Sequence, residues 1–144
     1  MVGIGKTNPA SALDVNGTVT ATAFNPPSDR NLKENFAVIS PAEVLEKVSA
    51  LPICRWNFKG DHATPHLGPM AQDFHAAFGL GTDDKHIATV DADGVALAAI
   101  QGLSQKMDSE AAALRAENAE LKQELMELKQ LMHQFAQTRH WEPN

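Results

Sequence analysis

The residues that could bind a metal or activate water are concentrated in one loop. Asp61, His62 and His66 lie close together in a stretch rich in glycine, histidine and proline, and His75 and His86 follow downstream. Imidazole and carboxylate groups are common zinc ligands, so this set could serve a metal-dependent hydrolase. A histidine-rich loop in a soluble domain is more often solvated than metal-bound. The sequence therefore predicts no metal and no other cofactor.

Three further candidates have simpler structural interpretations. Ser28 and Lys33 are five residues apart, and spacing alone predicts that Ser28 and Asp29 cap a short helix with Lys33 on its solvated side. Residues 79–81 (GLG) lack the strand-turn-helix context of a phosphate loop and predict a helix end. Cys54 is the only cysteine, which excludes an intrachain disulfide and a zinc site built on several thiolates.

The composition predicts a modest, mostly aliphatic core. The chain has 144 residues, of which 43% are apolar and 6% aromatic, with no tyrosine. This length suits one compact domain plus an extension and excludes a large multi-domain enzyme. A net charge of -6 argues against nucleic acid as a partner. No apolar stretch approaches the roughly 18 residues of a membrane span.

The N-terminal part carries a strand pattern. Val2 and Ile4 precede a turn at residues 7–11, and apolar and polar residues then alternate from Leu13 to Ala23. These small side chains are too few to bury a sheet within one chain, so we expect partner strands from other chains. Because the chain opens with such strands, we expect it to be the C-terminal piece of a longer protein.

The middle of the chain predicts short, mixed elements. Ser40, Pro41 and Glu43 form a capping box that opens a helix, and Pro52 stops this helix. Trp56 and Phe58 are expected to pack in the domain core. The remaining predictions are a strand at 53–58, a loop at 59–69, a helix at 70–78 closed by Gly79, a strand at 87–90 and a turn at 91–94.

From Val95 onward the sequence has an unbroken heptad pattern. Six residues fall at position a: Leu97, Ser104, Ala111, Asn118, Leu125 and Met132. Six fall at position d: Ile100, Met107, Leu114, Leu121, Leu128 and Phe135. Together with Met126, the methionines of this segment are interpreted as packing residues. The pattern predicts a coiled coil of more than five heptads.

The flanking heptad positions specify the orientation of the helices. Acidic residues at g are each followed five residues later by a basic residue at e, in the pairs Glu110 and Arg115, Glu117 and Lys122, and Glu124 and Lys129. Such pairs link neighbouring chains only when the helices are parallel and in register. A single amphipathic helix docked on its own domain has no need of them. The heptads alone do not choose between two strands and three.

Several motifs occur in the order found in a known family. Residues 28–107 resemble the C-terminal intramolecular chaperone domain of phage endosialidases, tailspikes and neck-appendage proteins. The motifs that carry this resemblance are 28–35 (SDRNLKEN), 45–47 (LEK), 56–58 (WNF), 68–73 (GPMAQD) and 90–91 (VD). Residues 2–9 and 13–18 look like the end of a tail-fibre stalk.

The resemblance implies a homotrimer that templates an upstream fibre stalk in the same chain and releases itself by Ser-Lys cleavage. It assigns the nucleophile to Ser28, which would attack the Pro27 carbonyl, and the base to Lys33. A lysine base must be neutral, which requires burial or a neighbouring cation such as Arg30. It also implies an extracellular location, on a phage virion fibre or a bacterial cell-surface fibre.

The predicted architecture is α+β, with a short β stalk segment, a small mixed chaperone domain and a long C-terminal parallel coiled-coil helix in a homotrimer. The predicted segments are stalk end 1–27, chaperone domain 28–95, coiled coil 96–137 and a tail 138–144 that contains Trp141. The predicted function is to register three chains of a fibre or tailspike protein, with release by cleavage before Ser28. The alternative is a permanent, uncleaved fibre tip that acts as a clamp or receptor contact.

Overall fold

The computed structural model describes residues 1–138, so Trp141 lies outside the described residues. Within this range the chain is an α+β protein with two small sheets and a long C-terminal helix, which confirms the predicted class. It divides into two compact units, Met1–Ala37 and a second that begins at Val38. No helix of residues 1–138 has the length and apolarity needed to cross a bilayer.

The first unit contains a two-stranded parallel sheet. Strand β1 (Val2–Ile4) pairs with β2 (Leu13–Val15), and Val2 lies opposite Leu13. The Asp14 carboxylate closes the connection, because it lies 2.9 Å from the Lys6 Nζ and accepts a hydrogen bond from the Ala10 N–H. Two residues of the connection, Lys6 and Ala10, are thereby tied to β2.

The strand predicted to run on to Ala23 ends at Val15. Residues 18–24 are exposed and have no ladder partner among residues 1–138. Their alternating pattern is that of a strand, but the backbone groups of a strand need a neighbour to pair with. Residues 18–24 are therefore not a strand in the single chain, and the expectation that they pair with strands of other chains stays a prediction.

Helix α1 (Pro41–Ala50) begins as its capping residues predict. The Ser40 Oγ accepts a hydrogen bond from the Glu43 N–H at 3.3 Å, Pro41 occupies the first helical turn, and the helix ends at Leu51. Helix α2 (Ala71–Phe78) is closed by Gly79 in the left-handed conformation, with φ at 64°. Both predicted helices are confirmed.

The second sheet corrects the predicted loop at 59–69. Strand β3 (Cys54–Trp56) pairs antiparallel with β4 (His66–Gly68), which lies in that segment. The Asn57 amide donates to the Thr64 carbonyl at 2.6 Å, and the Trp56 and His66 rings stack with centroids 4.7 Å apart. The Gly-, His- and Pro-rich composition of this segment does not predict a strand. The strand depends on contacts between residues on either side of the turn.

Helix α3 (Thr89–Thr138) begins earlier than predicted. The strand at 87–90 and the turn at 91–94 are wrong, since the Ala88 carbonyl accepts hydrogen bonds from the N–H groups of Asp91 and Ala92. An acidic residue such as Asp91 is favourable at the start of a helix. Gly94 weakens a helix by only about 1 kcal/mol, which tertiary packing overrides.

The core of the second unit is small and lies where α1 packs along α3. Ala98, Ala99 and Gly102 of α3 are buried, as is Phe74 of α2. In the heptad register these three α3 residues occupy positions b, c and f, so α1 covers the side opposite positions a and d. Phe58 was expected in the core, but its side chain is exposed, in edge contact with the half-buried Trp56.

Candidate functional site

Ser28 and Lys33 are in direct contact. The Lys33 Nζ donates a hydrogen bond to the Ser28 Oγ at 2.8 Å. A serine hydroxyl beside a lysine amine is the arrangement that a Ser-Lys nucleophile requires. Ser28 directly follows Pro27 in the chain. The Pro27 carbonyl is the predicted point of attack.

A single 3-10 turn brings the two side chains together. It spans Arg30–Leu32, and Lys33 follows it in an extended conformation. The Leu32 N–H donates to the Asp29 carbonyl and the Lys33 N–H to the Arg30 carbonyl, both at 3.1 Å. Arg30, predicted as a cationic neighbour of Lys33, contributes this backbone carbonyl.

The Asp29 side chain closes the turn. Its Oδ1 accepts hydrogen bonds from both the backbone N–H and the side-chain Nδ2 of Asn31, each at 3.0 Å. The sequence predicted Ser28 and Asp29 together as a cap, and the structure gives that role to Asp29, which leaves the Ser28 hydroxyl to Lys33. Asn31 was not singled out from the sequence, although an Asp-x-Asn pattern is a signal for such a turn.

Both members of the pair are exposed in the single chain. As a general base the amine must accept the hydroxyl proton, and at 2.8 Å from the Ser28 Oγ it lies within reach of that proton. The geometry therefore positions the two side chains for proton transfer.

The segment that starts at this serine has a recognisable family. Residues 28–79 match the family described as chaperone of endosialidase. The resemblance predicted from the motifs is thereby confirmed for these residues, and Ser28 is the first residue of the chaperone-of-endosialidase match. The match ends one residue after α2, so α3 lies outside it. Comparison of the whole chain with curated proteins gives no match.

The predicted interface residues of α3 lie on an open face. The apolar residues at positions a and d, apart from Ala111, keep 50% to 71% of their surface exposed. They are Leu97, Ile100, Met107, Leu114, Leu121, Leu125, Leu128, Met132 and Phe135. Asn118 is satisfied within its own helix, where its amide donates to the Leu114 carbonyl at 2.8 Å.

The charges that flank this apolar face have few partners in their own chain. The Glu110 Oε1 lies 3.9 Å from the Lys106 Nζ on the same helix. Within residues 1–138 no ion pair involves the other five charged residues, which are Arg115, Glu117, Lys122, Glu124 and Lys129. The face thus combines exposed apolar groups with exposed, complementary charges.

The histidine-rich loop is organised by turns. The pKa of Asp61 is held below its ordinary value by hydrogen bonds from the Thr64 side chain and from the Ala63 and Thr64 N–H groups. His66 stacks on Trp56, and the His75 Nδ1 lies 2.8 Å from the Leu80 carbonyl oxygen. In the part of the chain that the structure describes, no group of three or more potential ligands could hold a metal ion.

A third feature of the second unit is a cleft of about 480 Å³ between α1, the end of α2 and the start of α3. Its walls are mainly apolar and include Val44, Phe78 and Val95, with Lys47 and Asp91 among the charged lining residues. The Lys47 Nζ lies 6.0 Å from the centre of the Phe78 ring. The cleft lies apart from the serine-lysine pair in sequence and contains none of its residues.

Proposed function

We propose that this chain is the C-terminal trimerisation and intramolecular chaperone domain of a fibre or tailspike protein. It registers three chains and is released by cleavage of the Pro27–Ser28 bond. One observation carries this proposal: a segment that matches the chaperone of endosialidase family is followed by a 50-residue helix with an exposed apolar stripe.

The length and exposure of α3 support assembly. The apolar residues at positions a and d, apart from Ala111, keep 50% to 71% of their surface exposed. They lie on a helix that is about 75 Å long at the usual helical rise. Three parallel copies would bury this stripe and bring the e and g charges together.

Assembly at the C-terminus would help the upstream strands to pair. The strand-like residues 18–24 have no ladder partner among residues 1–138. Pairing between chains is slow because the entropy of bringing distant segments together is lost before any contact forms. Joining three chains by their helices raises the effective concentration of each strand for the others.

Release would follow ordinary acyl chemistry. The Ser28 Oγ attacks the Pro27 carbonyl carbon while the Lys33 amine takes the hydroxyl proton. The Ser28 nitrogen leaves and is protonated, which gives an ester between Pro27 and Ser28. Water then hydrolyses that ester to a Pro27 carboxylate and a free Ser28 hydroxyl. We propose that trimer closure buries the Lys33 amine and leaves the ester open to water, so that cleavage reports completed assembly.

The exposure of Ser28 and Lys33 favours a second reading, in which the domain stays attached as a permanent fibre tip. Intact masses of the parent, Ser28→Ala, Lys33→Ala and Lys59→Ala chains separate the two. We expect the parent and the Lys59→Ala control to yield a fragment that begins at Ser28. The other two variants should stay whole. If none of the four chains is cleaved, the self-cleavage proposal is wrong and the permanent fibre tip is supported.

The oligomeric state is tested independently of cleavage. Sedimentation equilibrium of the uncut Ser28→Ala chain should give three times 15.5 kDa. A single-chain mass at micromolar concentration would contradict the chaperone and the clamp alike, because both require three joined helices.

A further inference from the structure

We propose that Asp29, together with Asn31, is a positioning residue for self-cleavage, because it holds the turn that carries Lys33 to Ser28. This inference rests on the proposed self-cleavage. Neither side chain touches the reacting atoms, and each acts through the backbone between the two members of the pair.

Distance makes a turn necessary. Five residues of extended chain span about 17 Å, which is farther than a serine and a lysine side chain reach together. A 3-10 turn shortens the rise to about 2 Å per residue. With Arg30–Leu32 in this conformation, the Lys33 Nζ lies 2.8 Å from the Ser28 Oγ.

Burial does not hold this turn in the single chain. All residues from 28 to 37 are exposed, so no apolar packing within the chain fixes their backbone. A lone 3-10 turn has few hydrogen bonds of its own. Two backbone bonds close this one, at the Leu32 and Lys33 N–H groups.

The Asp29 carboxylate adds two more hydrogen bonds on one oxygen. Its Oδ1 fixes the Asn31 backbone through the N–H and the Asn31 side chain through the Nδ2. Asp29 is therefore the side chain that resists unwinding between Ser28 and Lys33. The Asn31 side chain supplies the second of these hydrogen bonds, which an alanine at this position would lack.

The experiment measures the first-order rate at which the fragment beginning at Ser28 forms, by intact mass, in full-length chains. Asp29→Ala should cleave about fivefold more slowly, the usual effect of losing a capping side chain. Asn31→Ala keeps the backbone bond and should lose about twofold. Asp29→Asn keeps an acceptor oxygen and should recover to within about threefold of the parent.

A matched control and a folding check complete the test. Glu34→Ala removes a carboxylate of the same segment that makes no hydrogen bond or ion pair within residues 1–138, and it should cleave at the parent rate. The melting temperature of the trimer should be the same in all variants, since the turn lies outside α3.

The outcomes separate the two proposals. Parent-like cleavage by Asp29→Ala, or an Asp29→Asn chain as slow as Asp29→Ala, would overturn the positioning role while self-cleavage stands. A parent chain that never cleaves would overturn the proposed release, and the positioning role with it.

Discussion

Gly102 of α3 lies directly against the backbone carbonyl of Pro41 in α1. A Cβ atom at Gly102 would overlap that carbonyl and would lie 3.0 Å from the Leu45 Cβ. Gly102→Ala is therefore expected to push α1 away from α3. The gain in helix propensity offsets part of this cost, and the free energy of unfolding should fall by about 1–2 kcal/mol. Thermal or urea unfolding followed by circular dichroism measures the change.

Gly94→Ala is the matched control for this substitution. Gly94 lies in the same helix, and a Cβ there would meet no atom within 4 Å. The same change should stabilise the protein by about 0.5–1 kcal/mol through helix propensity alone. Equal effects at the two positions would contradict the close packing of α1 on α3.

An acidic residue in the apolar stripe of α3 should prevent assembly. Leu121→Asp would place three carboxylates at the centre of the proposed trimer, and burying them without partners is costly. We expect association to weaken by about a hundredfold or more. Sedimentation velocity at micromolar concentration should then show a single chain.

Gln130→Asp adds the same charge at heptad position f, which faces away from the seam, and should leave the trimer intact. A Leu121→Asp chain that stays trimeric would rule out this face as the interface. A Gln130→Asp chain that dissociates would show that charge alone disrupts assembly.

The flanking charges predict a pairwise rescue. Glu117→Lys would set like charges against Lys122 of the neighbouring helix and should cost about 1 kcal/mol per trimer, summed over three contacts. Adding Lys122→Glu should restore most of the melting temperature. Raising the salt concentration should reduce the difference, because these contacts are exposed. A double variant no better than the single one would argue against parallel helices in register.

The loop that joins β3 and β4 should weaken at low pH. Hydrogen bonds from the Thr64 side chain and from the Ala63 and Thr64 N–H groups depress the pKa of Asp61 below its ordinary value. A depressed carboxyl pKa contributes stability above the unfolded-state value, and this contribution is lost as the pH falls through the folded-state value.

A carboxyl-carbon NMR titration of Asp61 should therefore have its midpoint below that of an aspartate in an unstructured peptide. The protection of the Ala63 amide proton, relative to its intrinsic exchange rate, should fall as Asp61 is protonated, and Asp61→Ala should remove this change in protection. A midpoint at or above the unstructured-peptide value would contradict the hydrogen bonds to the carboxylate.

Local signals in the sequence were sufficient where a residue acts on its immediate neighbours. Ser40 caps α1 and Gly79 closes α2 as expected, because both roles depend on a few adjacent residues. The heptad pattern likewise predicted a long helix, and α3 spans the whole of it. The family motif at residues 28–35 drew attention to Ser28 and Lys33, and the two side chains are in contact.

The predictions failed where distant residues decide the structure. Strand β4 exists because His66 lies opposite Trp56, and α3 extends back to Thr89 although Gly94 is a poor helix residue. Residues 18–24 show the opposite case, since their alternating pattern predicts a strand but the described residues 1–138 contain no ladder partner for it.

Helix α1 packs on the side of α3 that lies opposite heptad positions a and d, and this affects the order of folding. Its contacts join residues of one polypeptide, so their strength is independent of protein concentration, whereas the proposed contacts on the opposite side of the same helix would form only between copies. Dilution should therefore dissociate the proposed trimer, while the packing of α1 on α3 persists. A newly synthesised chain would then form the α1–α3 contacts before it associates with other copies.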